Sequence, residues 1–502
     1  MNKRDHKILR KRKRSLKRRL KRKNYQEQSE PMMKQPNITY EMADRTQAVG
    51  CGGIGAIHRL VGQLKLDKAI NERVKVLKAH IPYFESDHVL NIAYNVMCGG
   101  TSLEDIEKLR NNETYMNCLG ADRIPDPTTE GDYLRRYDRE SIIELQEAIN
   151  ESRVKVWMMQ DESFGEEAII DSDGTIAETG GECKEGVDMS YKGVWGYGPL
   201  IVSLANTGEP MYVVNRPGSQ PSSTGAAEWI DRAIDLVAPV FAKTTLRGDT
   251  DFSLTQNFDR WDEKGVKFVF GYDAFQSLRR MADEIPDGDW KPLERSPRYE
   301  VRTRERGRRE NVKERIVKER EYKNISLTSE QVAEFEYKPK ACKKSYRMVV
   351  VRKNLSVEKG ENKLFDEIRY FFYVTNDREK TAEEVVLFAN KRGNQENLIG
   401  QLKSGINALR MPSDGLDSNW AYMVIATLAW SLKAWSGLMV EVEAASKEII
   451  RMEFKRYLAT FIRIPCQILK TGRRLVYRIL SYNEHLETFL KTFTHIKHMT
   501  FY

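Results

Sequence analysis

EEAIIDSDGT (residues 166–175) predicts the first strand of a sheet, and this apolar strand candidate runs directly into acidic residues. Two further strand candidates follow it, YGPLIVSLA (197–205) and PMYVVNR (210–216). The turn Asn206–Gly208 between them predicts a β-hairpin. Three antiparallel strands therefore open this part of the chain.

The chain then alternates between helical and extended patterns. The helix candidates are TGAAEWIDRAIDLVAPV (224–240) and SLTQNFDRWDEKG (253–265), and the strand candidates are TTLRGD (244–249) and VKFVFGY (266–272). The resulting order, β-β-β-α-β-α-β, predicts an α/β fold in which a mixed sheet carries helices on its faces.

Composition and periodicity predict the other units of this 502-residue chain. Apolar residues recur at helical spacing before the sheet, and charge-dense segments with further strand candidates follow it. The expected units are a disordered basic arm (1–48), a helical domain (49–155), the first part of the α/β core (156–273), a β-rich insertion (274–385), a helical segment that completes the core (386–440) and a C-terminal region (441–502) that is mainly helical.

Positive charge is concentrated at the start of the chain. Residues 3–23 contain fourteen Lys or Arg against one acid, Asp5, whereas the whole chain has a formal charge of +9. Such a run is typical of an arm that binds nucleic-acid phosphates without sequence preference, although a solvated tail or a targeting signal has the same composition. The candidate DNA-binding residues in this arm are Lys11, Arg12, Lys13, Arg14, Lys17, Arg18 and Arg19.

Three acidic residues lie on elements that this fold would bring together: Asp173, Asp249 and Glu396. If the first and fourth strands are neighbours, Asp173 and Asp249 meet at one edge of the sheet. On a continuous helix, Arg392, Glu396 and Lys403 share one face. Carboxylates hold Mg²⁺ and cations bind phosphate, so the group indicates a phosphodiester substrate. Taken singly, each acid is more often a turn, a cap or a surface pair.

Other classes of protein are disfavoured. The six cysteines include no CxxC pair and no zinc-like spacing with histidine, so we expect neither a disulfide framework nor structural zinc, as suits a cytoplasmic protein. No apolar stretch follows the basic start as a secretory signal requires. The most apolar segment, Ser418–Leu432, is too short to span a bilayer and predicts a core helix.

The order of elements and the placement of the acids resemble the DDE transposases of bacterial insertion sequences, which have a ribonuclease H-like core. Arg392, Glu396 and Lys403 match the Tyr-(2)-Arg-(3)-Glu-(6)-Lys signature of a branch that carries a β-rich insertion. The signature Tyr is replaced by Ala389, with Phe388 one residue earlier. Four other stretches resemble one subgroup: YKGVWGYGPLIVSLANTGEP (191–210), NRPG (215–218), RGDTDFS (247–253) and FVFGYDA (268–274).

The resemblance implies a metal-dependent site for cutting DNA. Asp173, Asp249 and Glu396 would bind two Mg²⁺ ions, for which Mn²⁺ can substitute. Arg392 and Lys403 would contact phosphates near the cleaved strand.

The resemblance also suggests supporting roles for residues outside the metal ligands. Asp173 is preferred over Asp171 as the first ligand because Gly174 and Thr175 follow it, as in the family. Asp171 and Asp251 would then support the ligands. Trp290 in the insertion would stack on DNA if a hairpin intermediate forms, although packing is the simpler role.

The resemblance also implies a biological role. The protein would bind the terminal inverted repeats of its element as double-stranded DNA, cleave them with water and join the freed 3′-OH to target DNA. Residues 49–155 are the candidate for recognising the repeats. The family commonly acts as a homodimer that holds both ends, here expected in the bacterial cytoplasm at the nucleoid and not at a membrane.

Two other functions stay open. DxDGT after an apolar strand is also the motif of haloacid-dehalogenase-type phosphatases, in which Asp171 would be the nucleophile and Asp173 the acid/base. Those enzymes continue into a loop and a helix, whereas this chain continues into a predicted hairpin. The other possibility is a transposase relative that binds DNA without cleaving it.

Overall fold

The computed structural model describes residues 3–21, 38–40, 42, 46–181, 183–295, 312–359, 362–471 and 474–499. The α-helices are α1 (Lys3–Lys21), α2 (Ile54–Leu64), α3 (Leu66–Arg73), α4 (Glu85–Cys98), α5 (Ile106–Arg110), α6 (Glu113–Leu119), α7 (Pro127–Leu134), α8 (Arg139–Trp157), α9 (Ala226–Val237), α10 (Phe258–Glu263), α11 (Gln276–Asp283), α12 (Val312–Glu319), α13 (Ala382–Asn390), α14 (Gly393–Gly400), α15 (Leu416–Leu438), α16 (Glu443–Arg451), α17 (Phe454–Tyr457) and α18 (Leu486–His498). The strands are β1 (Ala48–Val49), β2 (Glu167–Gly174), β3 (Ala177–Glu178), β4 (Asp188–Met189), β5 (Trp195–Tyr197), β6 (Leu200–Leu204), β7 (Glu209–Val214), β8 (Lys243–Gly248), β9 (Lys267–Tyr272), β10 (Lys291–Pro292), β11 (Lys323–Tyr337), β12 (Tyr346–Lys359), β13 (Asn362–Thr375), β14 (Cys466–Thr471) and β15 (Arg474–Ile479).

One large sheet organises the molecule, with strand order β10-β11-β12-β13-β9-β8-β2-β6-β7. β2 is parallel to β8 and antiparallel to β6, and β8 is parallel to β9. The predicted mixed α/β class is therefore confirmed. A small sheet of β3, β5 and β4, which the sequence pattern did not predict, lies between β2 and β6 in the chain.

The two faces of β2 have different neighbours because successive side chains of a strand point to opposite sides. Ile170 packs in the cluster that contains Trp229 of α9. Ile169 packs in the other direction, with Val385 and Val386 of α13. Asp171 and Asp173 have the same parity as Ile169, so they lie on the face that α13 and α14 cover.

The inserted region continues the main sheet. Phe372–Thr375 of β13 pair antiparallel with Val269–Tyr272 of β9, and α13 packs against both β9 and β12. The chain returns to the outer edge of β9 after about a hundred residues, and a local pattern does not reveal such a pairing. The domain boundaries proposed from the sequence stay predictions.

The basic arm differs from the expectation of disorder, because Lys3–Lys21 form a helix. Lys, Arg and Leu are good helix formers, which explains a helix in so charged a segment. Arg12 donates hydrogen bonds through Nη1 to the backbone oxygens of Ile479 (3.1 Å) and Ser481 (2.8 Å). Residues 22–37 of the arm lie outside the described residues.

The helical parts pack around α15, whose residues Ser418–Leu438 are all buried. α15 contacts α4, α8 and strand β7, so the segment predicted as a core helix is one. Among the described residues, no helix combines the length and apolar character that a bilayer crossing requires.

A buried carboxylate ties α8 and α15 to the hairpin. Glu209 at the start of β7 accepts hydrogen bonds from Arg153 (3.2 Å), Trp157 (3.1 Å), Trp435 (2.7 Å) and Thr207 (2.8 Å). A buried charge is tolerated when it is paired and hydrogen-bonded in this way. The sheet that carries the acidic residues is thereby fixed to the helices.

Candidate active site

Two of the predicted acids lie at the same end of neighbouring strands. Asp171 of β2 lies opposite Arg247 of the parallel strand β8. Continuing this register by two residues places Asp173 opposite Asp249. Asp173 is the penultimate residue of β2 and Asp249 directly follows β8. The Asp249 side chain also accepts a hydrogen bond from the backbone N–H of Asp251 at 3.1 Å, which fixes the turn after β8.

A guanidinium group joins the two carboxylates. Arg392 Nη1 lies 3.2 Å from Asp173 Oδ2 and 3.5 Å from Asp249 Oδ2. All three side chains are partly buried, so this ion pairing is less screened than a fully exposed surface pair would be. The structure thus places a cation between the carboxylates.

The predicted single helical face is wrong in its geometry. α13 ends at Asn390 and α14 begins at Gly393, so Arg392 lies in the turn between two helices. Lys403 lies in a π-helical turn, Gln401–Gly405, which changes the angular spacing from that of an α-helix. Arg392 approaches the carboxylates because of this break, and not through a shared helical face.

Burial and like charge raise the pKa of the acids. The pKa of Asp173 rises to about 6, mainly through burial, with Arg392 lowering it and Asp249 and Glu396 raising it. The pKa of Asp249 is also raised, again mainly by burial, and Arg392 opposes this shift. Both carboxyl groups are therefore destabilised as anions in the absence of a further cation.

Glu396 is held near the pair by its helix. The neighbouring Gln395 is buried and donates from Nε2 to the backbone oxygens of Asp171 (3.2 Å) and Ile201 (3.1 Å), which docks α14 on β2 and β6. Glu396 is close enough for its charge to raise the pKa of Asp173. Among the described residues, however, no three carboxylate, His or Cys side chains are arranged closely enough to hold a metal ion.

The donor set nevertheless fits a hard divalent cation. Mg²⁺ is usually bound by one or two carboxylates together with substrate oxygens. Asp173 and Asp249 provide two carboxylates at the ends of neighbouring strands, and they already hold a positive group between them. The residues of this site therefore suit a cation that replaces Arg392.

Asp171 has a different role from Asp173. It is buried and receives two hydrogen bonds from Arg247, from Nε at 2.6 Å and from Nη2 at 2.7 Å. Arg247 also donates to the backbone oxygen of Phe388 at 3.0 Å and lies 5.0 Å from the centre of its ring. A carboxylate engaged in this way is poorly placed as the nucleophile of a phosphatase. Asp171 instead anchors α13 to the sheet.

A basic cavity beside Asp173 contains a lysine that no sequence pattern indicated, Lys192. The cavity has a volume of about 280 Å³, and its lining includes Gly174, Thr175, Lys192 and Lys403. Burial and the charge of Lys192 lower the pKa of Lys403, as expected when two cations lie near each other. Lys192 lies within the resemblance stretch at 191–210, but no spacing linked it to the acids.

Of the remaining candidates, two are packed side chains and one lies beside Asp249. Trp290 is only 5% exposed, and Arg352 lies over its ring at 4.3 Å, so it serves as a packed side chain and is not available to a base. Ala389, at the position of the signature Tyr, is buried against the sheet. Asp251 contributes its backbone N–H to Asp249 and keeps an exposed side chain.

Comparison with known proteins gives the family. The family model described as "Transposase DDE domain group 1" matches residues 32–501, nearly the whole chain. The chain belongs to this family. DDE transposase membership supports a DNA transposase and implies a metal-dependent polynucleotidyl transferase.

Two other comparisons add little. A comparison with curated proteins finds no match. Among solved structures, the chain is similar to the piggyBac transposase in its synaptic complex with hairpin DNA, with 11% identity and a TM-score of 0.36. That match covers 83% of this chain and 81% of the other. The likeness is weak, and the assignment depends on the family match.

Proposed function

We propose that this chain is the transposase of a bacterial insertion sequence, which binds the terminal inverted repeats and catalyses DNA cleavage and strand transfer. The family match supports the general activity. The observation that carries the proposal is the pair Asp173 and Asp249 on neighbouring parallel strands, with Arg392 between them.

The sheet supports a ribonuclease H-like core. Five neighbouring strands have the order β7-β6-β2-β8-β9. β6 and β7 form an antiparallel hairpin next to β2, and β2, β8 and β9 are parallel to one another, so that β2 is the middle strand of the five. Asp173 lies near the end of this middle strand and Asp249 follows its parallel neighbour. Sites in open α/β sheets commonly lie at this edge.

The residues of the site would divide the chemistry between them. Asp173, Asp249 and Glu396 would hold two divalent ions, Mg²⁺ or Mn²⁺, which when bound activate the attacking oxygen and stabilise the leaving one. In the free protein Arg392 pairs with the carboxylates of Asp173 and Asp249. Once it is released from them, Arg392 would pair with a phosphate of the cleaved strand. Lys403 and Lys192 would hold the same strand through the cavity beside Asp173.

DNA recognition would be shared between two regions. α1 carries most of the Lys and Arg of the arm and suits sequence-independent phosphate contacts. Arg12 is the exception, because it is already bonded to backbone oxygens near the end of the chain. Residues 49–155 would recognise the repeats, and two copies of the chain would hold the two ends.

The test is cleavage of a duplex that carries the element's terminal repeats, with and without Mg²⁺. Asp249→Asn and Glu396→Gln remove single negative charges while keeping side-chain shape, and Asp235→Asn on the exposed side of α9 is the matched control. We expect cleavage at the repeat ends by the intact protein and the control, and at least about a hundredfold loss in the two site variants, with DNA binding retained.

Other outcomes would point elsewhere. Undiminished cleavage by Asp249→Asn and Glu396→Gln would overturn the assigned acids. An intact protein that binds the repeats with Mg²⁺ present but never cuts them would be a DNA-binding relative. Hydrolysis of a small phosphate monoester that Asp171→Asn abolishes would favour the phosphatase.

A further inference from the structure

Four of the six cysteines lie close together where the helical region meets the C-terminal segment. They are Cys51 before α2, Cys98 at the end of α4, Cys118 in α6 and Cys466 at the start of β14, and all are free thiols. Burial raises the pKa of Cys118 to about 11 and that of Cys466 to about 12, and a charge on Cys51 adds to both shifts. These two buried thiols are therefore unreactive at neutral pH. Among the described residues, no three Cys, His or carboxylate side chains are placed to hold a metal ion, so the cluster is not a metal site.

Cys51 and Cys98 are in contact, and both residues are partly exposed. The Cys98 thiol donates a hydrogen bond to the Cys51 sulfur, which lowers the pKa of Cys51 and raises that of Cys98 well above its usual value. The pair therefore combines a thiol that ionises easily with a neighbour that keeps its proton. An accessible thiolate with a second thiol beside it is the arrangement found in redox-sensitive cysteines.

Backbone hydrogen bonds hold Cys51 in this place. The N–H of Gly52 donates to the Ile464 oxygen (2.9 Å), and the N–H of Gly53 donates to the Ile462 oxygen (3.0 Å). A Cβ on Gly53 would lie 1.8 Å from a backbone oxygen of the same C-terminal segment, so the close approach requires glycine. The chain directly after Cys51 is thus fixed against residues 461–464.

A guanidinium group lies beside both thiols. Arg463 belongs to the segment that fixes Cys51, and its positive charge lowers the pKa of Cys51 in addition to the hydrogen bond from Cys98. Its Nη2 atom also lies against Gly99, since a Cβ on that glycine would be 2.3 Å away, and Gly99 directly follows Cys98. A cation next to a partly exposed thiol favours the thiolate, which is the reactive form.

The helix ends act in the same direction. Cys51 precedes the N-terminus of α2, whose unpaired N–H groups favour negative charge. Cys98 is the last residue of α4, where the unpaired carbonyl groups disfavour negative charge. The hydrogen bond, the cation and the helix ends therefore agree that Cys51 is the nucleophile and Cys98 the thiol that stays protonated.

We propose that Cys51 and Cys98 form a reversible redox site, in which a peroxide oxidises Cys51 and Cys98 then forms a disulfide with it. The proposal concerns two thiols in contact, and it does not depend on the transposase activity. Transient, redox-sensing disulfides are the kind that reducing compartments permit. A disulfide here is therefore compatible with the absence of a structural disulfide framework.

The oxidation takes place in two balanced steps. The Cys51 thiolate attacks one oxygen of hydrogen peroxide, so that an S–O bond forms, the O–O bond breaks and hydroxide leaves. The sulfur of Cys98 then attacks the sulfenic acid of Cys51, so that the S–S bond forms, the S–O bond breaks and water leaves with the Cys98 proton. Overall, the two thiols lose two electrons and the peroxide is reduced to two molecules of water.

The disulfide would tie the start of α2 to the end of α4. A cross-link that closes a long loop stabilises a protein mainly by constraining its unfolded chain. Oxidation should therefore stabilise the helical region, and a reductant should reverse the effect. That this region also recognises DNA rests on the proposed function, whereas formation of the disulfide does not.

The first test maps the oxidised thiols. The reduced full-length protein is treated with hydrogen peroxide, blocked with N-ethylmaleimide and digested with trypsin for mass spectrometry. We expect a linked pair of peptides containing Cys51 and Cys98, which dithiothreitol separates. Cys183, which is exposed, is the reference thiol and should be oxidised at least about tenfold more slowly than Cys51. A folded protein that gives no such pair, or that links Cys51 equally to Cys118, would overturn the proposal.

Single substitutions separate the roles of the two cysteines. In Cys98→Ser, oxidation should stop at the sulfenic acid of Cys51, which dimedone traps. In Cys51→Ser, Cys98 should react neither with peroxide nor with dimedone, because it remains protonated. Cys118→Ser is the matched control and should form the disulfide as the intact protein does. Circular dichroism establishes that the variants are folded, and trapping of Cys98 in place of Cys51 would contradict the assigned roles.

The contribution of Arg463 is measured through the pH dependence of Cys51 alkylation by iodoacetamide. Arg463→Gln removes the nearby positive charge, so alkylation at pH 7 should slow by at least about threefold and its midpoint should move to higher pH. Arg456→Gln, which changes an exposed arginine of α17, is the control and should leave the profile unchanged. Identical profiles for Arg463→Gln and the intact protein would contradict activation of Cys51 by this cation.

Thermal unfolding tests the consequence of the link. We expect peroxide to raise the melting temperature of the intact protein and dithiothreitol to restore the original value. Cys98→Ser should show no rise after the same treatment. A disulfide that forms without raising the melting temperature, or an equal rise in Cys98→Ser, would contradict stabilisation by this cross-link.

Discussion

Arg392 takes the position between Asp173 and Asp249 that a divalent cation would need. Two half-buried carboxylates at the ends of adjacent strands repel each other, and the guanidinium offsets this repulsion in the free protein. The same cation, once displaced, is available to a phosphate of the DNA. The site therefore contains a side chain that stabilises its free state and can contact the substrate afterwards.

The raised pKa of Asp173 predicts a pH-dependent effect on stability. The pKa rises from 3.8 to about 6, so the folded chain binds this proton more tightly than the unfolded chain does. The stabilisation is present below pH 4 and is lost as pH rises through about 6. Asp173→Asn avoids the charge and should be about 1–3 kcal/mol more stable than the intact protein at pH 8 in chelator, and about equal near pH 4. Urea unfolding at both pH values measures this, and a difference independent of pH would contradict it.

Asp171 and Asp251 should respond differently to the same substitution. Asp171→Asn breaks a buried ion pair with Arg247 and should lower the free energy of unfolding by about 3–5 kcal/mol. Asp251→Asn alters an exposed side chain and should change it by less than about 0.5 kcal/mol. Denaturant titrations of both variants provide the measurement. A small change in the free energy of unfolding of Asp171→Asn would mean that Arg247 does not need this ion pair to remain buried.

At the scale of elements, the site depends on the break between α13 and α14. α13 is anchored through Arg247 and Phe388, and α14 is docked on the sheet by Gln395. The turn between them carries Arg392. Two independently anchored helices therefore fix the side chains that approach β2 and β8.

Gln395→Ala tests this anchoring. It removes two hydrogen bonds to buried backbone oxygens and should lower the free energy of unfolding by about 1–3 kcal/mol. Cleavage should fall as well, because Glu396 is then held less firmly, although the Glu396 side chain itself is unchanged. The exposed neighbour Asn394→Ala is the control, and equal activity of the two variants would contradict a positioning role.

Local patterns predicted the strands that carry Asp173 and Asp249, because their apolar residues and turn signals lie within a few positions of each other. Contacts over long separations escaped prediction. The pairing of β13 with β9 and the ion pair from Arg392 to Asp173 join residues about one hundred and two hundred positions apart. The helical face assigned to Arg392, Glu396 and Lys403 failed because the chain breaks before Gly393 and then forms a π-turn.

At the scale of the whole molecule, the two ends of the chain meet. β1 pairs with β14 of the C-terminal hairpin, and Arg12 of α1 bonds to backbone oxygens at the end of that hairpin. The basic helix is thus attached to the body through Arg12 and through Leu9, which packs against the main hydrophobic cluster, while most of its Lys and Arg side chains remain exposed. This arrangement leaves its charge available for DNA.

Removal of residues 1–21 should weaken DNA binding, mainly because electrostatic contacts with DNA phosphates are lost. Each phosphate contact contributes about −0.9 to the slope of log affinity against log salt, so the truncated protein should show a shallower slope by several such steps. Lys13→Ala should reduce the slope by about one step, whereas Arg12→Ala should leave it unchanged, because Arg12 is engaged with the protein. Filter binding over a salt series measures the slope, and an unchanged slope after truncation would remove α1 from the DNA contact.

A crystal structure of the protein with Mn²⁺ and a duplex of the repeat end, using anomalous scattering to locate the metal, would test the proposed metal site most directly. We expect Mn²⁺ bound by Asp173 and Asp249, with Glu396 completing the site and Arg392 moved from the carboxylates to a phosphate. Mn²⁺ bound elsewhere, or Arg392 still between Asp173 and Asp249 when the DNA is engaged, would contradict it.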